Sequence, residues 1–270
     1  MQMRTVTGIG RPLDPNYPTN RIIVIVALTV GLLGAIVQTV TGASLVAGAL
    51  WGGGAAVTVF LAWALCRELD PDRDLSAFVA AAFATAGVFL WGQPDLVACF
   101  WLLLAVRTVN RTTGVKATVF DALGLLGLGA LLTFQGNWGY GLVTALAFFL
   151  DNQLPAPHGQ QIIFAPAATI LAAAAAVLRG APPFSPLFGL VALGLAALFV
   201  PVFLGSERLV SVADDTGERL DPTRVRAAQA LALLAGLTAA LWSGAAGLIA
   251  LVPLWSAVLG ASLYRLVAAR

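Results

Sequence analysis

The chain has 270 residues, of which 59% are hydrophobic and 10% charged, against roughly 25% charged in a soluble domain. A water-soluble domain of this size cannot bury so large an apolar share, so lipid must be the solvent for much of it. The formal net charge of +2 is spread through polar loops without a basic stripe among aromatics, which excludes a nucleic-acid partner.

Residues 1–20 form a polar segment carrying Arg4 and Arg11, read as a cytoplasmic N-terminal segment. The apolar run from Ile22 to Val40 that follows is longer than a signal-peptide core and lacks an A-x-A cleavage site, so it is expected to stay as a first span. Further apolar stretches follow at roughly 44–65, 75–92, 94–106, 117–134, 138–151, 161–178, 185–204, 225–243 and 246–267. Backbone groups in lipid must be satisfied internally, so these runs predict helices. The expected fold is an all-α polytopic bundle of about ten transmembrane helices (eight to ten). Residues 21–270 would form one bundle of five hairpins with short external loops.

The charges alternate with the loops. Of the 15 Lys and Arg, 14 fall in segments that face one side if the chain crosses ten times, and only Arg179 faces the other. The positive-inside rule then places both termini in the cytoplasm, with the plasma membrane as the expected site.

Segments 94–106 and 138–151 are short for a bilayer core of about 30 Å. They are expected to be tilted, partly re-entrant, or packed as an interior hairpin.

An internal echo joins residues 69–91 to 220–242, with nine of 23 positions identical. It opens on Leu69-Asp70-Pro71-x-Arg73 and Leu220-Asp221-Pro222-x-Arg224 and closes on Trp91 and Trp242. Leu13-Asp14-Pro15 is a third, shorter copy. The echo fits either a parallel duplication of a hairpin or repeated use of Asp at a helix N-cap with Pro after it.

Small-residue faces (Gly48-x3-Gly52, Gly124-x2-Gly127 with Gly129, Ala172–Ala176) predict close helix approach within the bundle. Trp51, Trp91, Trp138 and Trp242 lie at predicted span ends, as in an interfacial aromatic belt.

Chemistry-bearing residues gather in two loops on the charged side. One runs from Arg107 through Arg111 to Lys116, rich in cations and hydroxyls; the other, from Asp151 to Gln161, holds the single histidine, His158. Asp121 lies about one turn into the fifth span. Arg107, Arg111 and Lys116 would hold a phosphate or an anionic headgroup. Asp121, Asp151 and His158 would accept protons or coordinate a cation. Alternatively, the cations only obey the topology rule while Asp and His cap helices.

The acidic stretch Glu68–Asp74 has Leu75 and Ala81 where a calcium loop needs Gly and a bidentate Glu, so it is read as capping with local Arg pairing. No metal site is expected from it. A single histidine excludes a multi-histidine zinc centre and bis-histidine haem, and the one lysine lies in a loop, so no retinal attachment is expected. Cys66 and Cys99 read as small apolar fillers. No nucleophile elbow, HExxH or Walker loop occurs.

Three functions fit these observations. A small transporter or permease is the leading reading, and it fits the span count and the two short segments. A structural or assembly subunit, partnered by other membrane subunits, fits the scarcity of charge inside the spans. A membrane-embedded enzyme acting on a lipid phosphate fits the paired loops. Membrane lipid is a partner in every case.

Overall fold

A computed structural model describes residues 6–268, with side chains to Val267; Arg4 and Arg270 lie outside the described residues. These fold into α1 (Pro18–Val40), α2 (Leu45–Leu69), α3 (Asp74–Trp91), α4 (Leu96–Asn110), α5 (Val119–Phe134), α6 (Gly139–Gln153), α7 (Gln161–Arg179), α8 (Pro186–Leu198), α9 (Val200–Gly205), α10 (Pro222–Ala250) and α11 (Val252–Ala268). Among the described residues the one β feature is an isolated bridge between Val212 and Arg219.

The helices follow the apolar runs, with two interruptions. The eighth run divides into α8 and α9 ahead of Pro201, which has no N–H to continue the ladder. Near the end of α10, Gly244 takes φ 60° and ψ −136°, a conformation reserved for glycine. The chain turns back there: a Cβ on Gly247 would collide with the Ala239 carbonyl, and one on Gly236 with the Trp255 ring of α11.

Among the described residues six units are long and apolar enough to cross a membrane: α1, α2, α3, α7, the joined α8–α9 and α10. Helices α4, α5 and α11 are apolar but shorter. At about 1.5 Å per residue, the 15 residues of α4 rise about 22 Å, short of the hydrocarbon thickness. A surface of exposed Leu, Ile, Val and Phe on α1, α5, α7 and α8 suits contact with lipid.

The polar ends of several helices extend beyond the expected limits. Helix α2 continues to Leu69, α4 to Asn110 and α6 to Gln153. Apolar content stops at the first charge, whereas the helix stops where its backbone ladder ends. Arg107 is therefore a helical residue rather than a loop residue.

Alternation of helix direction sorts the loops into two ends. At one end Arg11 meets Glu68 and Asp214, Asp72 accepts from Ser211, and the backbone N–H groups of Asp214 and Asp215 donate to Thr112 and Thr113. At the other end Gln93 donates to the Trp51 carbonyl, Asp95 N–H to Ala250 and Ser185 N–H to Leu241. Trp51, Trp91, Trp138 and Trp242 all sit toward this second end; Trp138 and Trp242 lie 4.3 Å apart between ring centroids.

Helix α4 forms the centre, wrapped by α2, α5, α6 and α10, and Trp101, Leu102 and Val106 on it are fully buried. Gly48-x3-Gly52 faces α1: a Cβ on Gly52 would meet the Gly31 carbonyl, and one on Gly48 the Thr39 hydroxyl. Gly124 and Gly127 behave differently. Both face open space, and only Gly129 of that group packs closely, on Thr144.

The echoed Leu-Asp-Pro segments adopt different local structures. Asp221 is the N-cap of α10, its carboxylate accepting from the Thr223 and Arg224 N–H groups. Asp70 instead is the C-cap of α2, while α3 begins four residues on. Asp14 accepts from Asn16 N–H, ahead of α1.

Candidate functional site

The polar end is organised by two buried carboxylates. Glu68, in the last turn of α2, has a fully buried side chain. Arg107 Nε donates to it at 2.8 Å, Arg11 Nη1 at 3.1 Å, Asn110 Nδ2 at 3.0 Å and Thr112 Oγ1 at 2.5 Å. It thereby ties the N-terminal arm, α2 and the end of α4 together. Arg11 also meets Asp214. Burial works against the Arg11 charge, but Glu68 and Asp214 outweigh it and hold its pKa above the ordinary value.

Asp151, near the end of α6, is the second hub and is also fully buried. Arg111 reaches it through Nη2 at 2.6 Å and Nε at 2.9 Å; Arg224 of α10 reaches it through Nη1 at 3.0 Å. Gln161 Nε2 donates to its other oxygen at 3.1 Å, and His158 Nδ1 lies 3.4 Å from that oxygen. The remaining guanidinium protons go to carbonyls: Arg111 to Ala156, Arg224 to Val109 and Pro155. Arg111 and Ala156 both have positive φ, at 52° and 57°. The left-handed residue that ends α4 thus turns its side chain onto the left-handed residue of the facing loop. Such backbone costs on the order of 1 kcal/mol per residue and persists where surrounding contacts fix it.

Of the six residues read from sequence, Arg111, Asp151 and His158 come together. Arg107 belongs to the Glu68 hub. Lys116 sits at the rim, donating from Nζ to the Pro157 carbonyl. Asp121 stands apart, in a capping box with Thr118 at the start of α5. Its carboxylate also accepts from Thr7 Oγ1 at 2.5 Å and from Gly8 N–H at 2.7 Å, across 113 residues of sequence. The arm passes so close to α5 that a Cβ on Gly8 would overlap the Lys116 carbonyl.

Glu68, Arg11 and Arg224 are hub members outside the two loops, whereas Asn110, Thr112 and Gln161 lie within them. Two of the three outside the loops carried a usable signal. Glu68 lies three and seven residues after Leu65 and Leu61, on the buried face of α2; Arg224 lies four and seven residues before Ala228 and Leu231, on the buried face of α10. Arg11 is brought in by contacts between distant segments.

The stretch Glu68–Asp74 divides its carboxylates among different partners. Glu68 and Asp72 are engaged as above, Asp74 pairs with Arg67, and Asp70 with Arg73. Asp70 is buried, and its Oδ2 has no hydrogen-bond partner among the described residues. Burial raises its pKa above the ordinary carboxylate value, outweighing Arg73 and Arg265, and Asp72 adds to the rise.

Between α4 and α6 the bundle is filled. Trp101 Nε1 donates to Thr144 Oγ1 at 2.9 Å, the Trp101 and Tyr140 rings meet edge to face at 5.1 Å, and Phe148 is fully buried. Open volume lies at the periphery. A cleft of about 310 Å3 opens over the Glu68 hub beside the starts of α1 and the end of α2. An apolar groove of about 740 Å3 runs between α6 and α7. No protein-family model, curated protein or solved structure matches the chain.

Proposed function

We propose that the chain is an integral protein of the cytoplasmic membrane, crossing it about ten times with both termini inside, and that it serves as a structural or assembly subunit of a larger membrane complex. The orientation rests on the 14 of 15 cations carried by one set of segments. The subunit reading rests on the filled middle. A permeation path bounded by α4 and α6 needs a polar cavity where Trp101, Tyr140, Thr144 and Phe148 are in contact. Charge gathered at one end, with only Asp95 and Arg179 at the other, and a solid core suit a scaffold.

A transporter is the second reading, favoured by one observation. Buried ion pairs add little net stability and are retained where they fix or switch an arrangement. Glu68 and Asp151 would then be an inner gate, closed here. An enzyme acting on a lipid phosphate gains less support, because Arg107 and Arg111 are already committed to carboxylates.

Native mass spectrometry of the protein gently solubilised from its own membrane tests the subunit reading; a stoichiometric protein partner is expected. The buried thiol of Cys99 on α4 supplies the other arm. In a scaffold it stays unreactive toward a membrane-impermeant maleimide, in the native protein and in Glu68→Gln alike. Recovery of the chain alone, with Cys99 labelled in Glu68→Gln, would overturn the subunit in favour of the gate.

A further inference from the structure

We propose that the cleft beside the last two turns of α2 binds a zwitterionic phospholipid, its phosphate and ammonium both held at the polar end. This stands whether or not a protein partner is found.

The cleft has two kinds of wall. Phe60, Trp63, Ala64 and Arg67 recur at helical spacing along one stripe of α2. The Phe60 and Trp63 rings are 5.8 Å apart, and the Arg67 guanidinium lies 5.4 Å over the Trp63 ring. From Arg67 to Phe60 the stripe descends about 10 Å along the helix axis, from the charged end toward the hydrocarbon. Tyr17 and Asn20, at the start of α1, face it. An aromatic wall leading from a cation into the apolar level matches a lipid, with the phosphate above and the glycerol and first methylenes below.

The indole N–H of Trp63, on the wall of the cleft, is a donor left to be satisfied. Trp63 is only 6% exposed, yet its Nε1 has no hydrogen-bond partner among the described residues. A buried donor without an acceptor is costly, more so at membrane depth. A phosphate or ester oxygen in the cleft would satisfy it.

Charge decides the class of headgroup. Arg11, Arg67 and Arg107 line the cleft together with Asp14, Glu68, Asp214 and Asp215. Arg11 and Arg107 are paired with Glu68 and Asp214, so these four groups balance one another rather than facing a ligand. The lining as a whole still carries one more negative than positive group, which disfavours a headgroup of net negative charge. A phosphate ester carrying an ammonium suits this lining, with the phosphate toward Arg67 and Trp63 and the ammonium toward Asp14 of the arm.

The intact protein, stripped of lipid in detergent, would be titrated with dioleoylphosphatidylethanolamine and followed by native mass spectrometry. Dioleoylphosphatidylglycerol and O-phosphoethanolamine serve as comparison probes. The expected result is one phosphatidylethanolamine retained, at least about tenfold more tightly than phosphatidylglycerol, with O-phosphoethanolamine too weak to compete. Trp63→Phe keeps the ring and removes the N–H. It should weaken binding about tenfold, the loss of one hydrogen bond to a charged group. Arg67→Gln should weaken it at least as much. Ile170→Ala, in the groove between α6 and α7, should change nothing, and melting temperatures within a few degrees of native confirm the fold of each variant. Equal retention of the two lipids, equal binding by O-phosphoethanolamine, or native affinity in both folded cleft variants would each overturn the proposal.

Discussion

Asp151 shows how much rests on single side chains at the polar end. Its carboxylate is the counter-charge shared by Arg111 and Arg224, both buried with it. Removing one partner from a buried pair leaves the other charge uncompensated, at a cost of about 3–5 kcal/mol. Asp151→Asn is therefore expected to lower stability by that amount in detergent unfolding. Asp70 should behave in the opposite sense. Its pKa is raised in the folded state, so the folded protein takes up a proton more readily than the unfolded chain. The resulting stabilisation is present below the ordinary carboxylate value, about 3.9, and is lost as pH rises through the folded value. Native protein should gain stability when acidified from neutral toward that window. Asp70→Asn should lack this part of the gain and be more stable at pH 7 by on the order of 1 kcal/mol, since it no longer buries an unpaired carboxylate oxygen. Identical pH profiles for the two proteins would contradict this account. Neither role was legible in sequence: Asp70 and Asp221 share a motif, yet one closes a helix and the other opens one.

Helices were more legible than side-chain partners. A long apolar run has one way to satisfy its backbone in lipid, so the presence of helix in each apolar run follows directly from the sequence. The ends are a different matter. Arg67, Glu68, Arg107 and Asn110 remain helical because they pair with one another or with near neighbours across the bundle, which removes the reason for a charge to end a buried helix. The sharpest local demand falls on the turn inside α10. Gly244→Ala would place a side chain in a glycine-only conformation, at a cost of about 1–3 kcal/mol. Gly247→Ala would drive a methyl into the backbone of Ala239 and should cost more than that. Thermal unfolding of the two variants checks the order. Gly124→Ala, in open space, should cost nothing measurable.

At the scale of the molecule, the alternation of loops makes a two-sided prediction. Single cysteines placed at Asp72, Gly114, His158 and Asp215 should react with an impermeant reagent from the cytoplasmic side only. Cysteines at Gly42, Gly136 and Pro182 should react from the opposite side only. Any position labelled from the wrong side in intact cells would reduce the number of crossings or invert part of the bundle. The positions of Gly114 and His158 matter most, since they flank the short helices α4 and α6.

The sequence by itself determined that the chain is helical, that it seeks lipid, and that its charge collects in one set of loops. These are properties of local composition, and backbone hydrogen bonding in an apolar solvent turns composition into structure without reference to distant residues. Which charges meet was decided only by tertiary structure. The loops from Arg107 to Lys116 and from Asp151 to Gln161 do meet, through one ion pair, Arg111 with Asp151, and through carbonyl contacts of Arg111 and Lys116; the ion pair is closed by Arg224 from α10. Arg107 turns to Glu68, and Asp121 to an arm more than a hundred residues away. Pairing of buried charges depends on the order in which helices surround α4, and that order is set by the fit of side chains between helices.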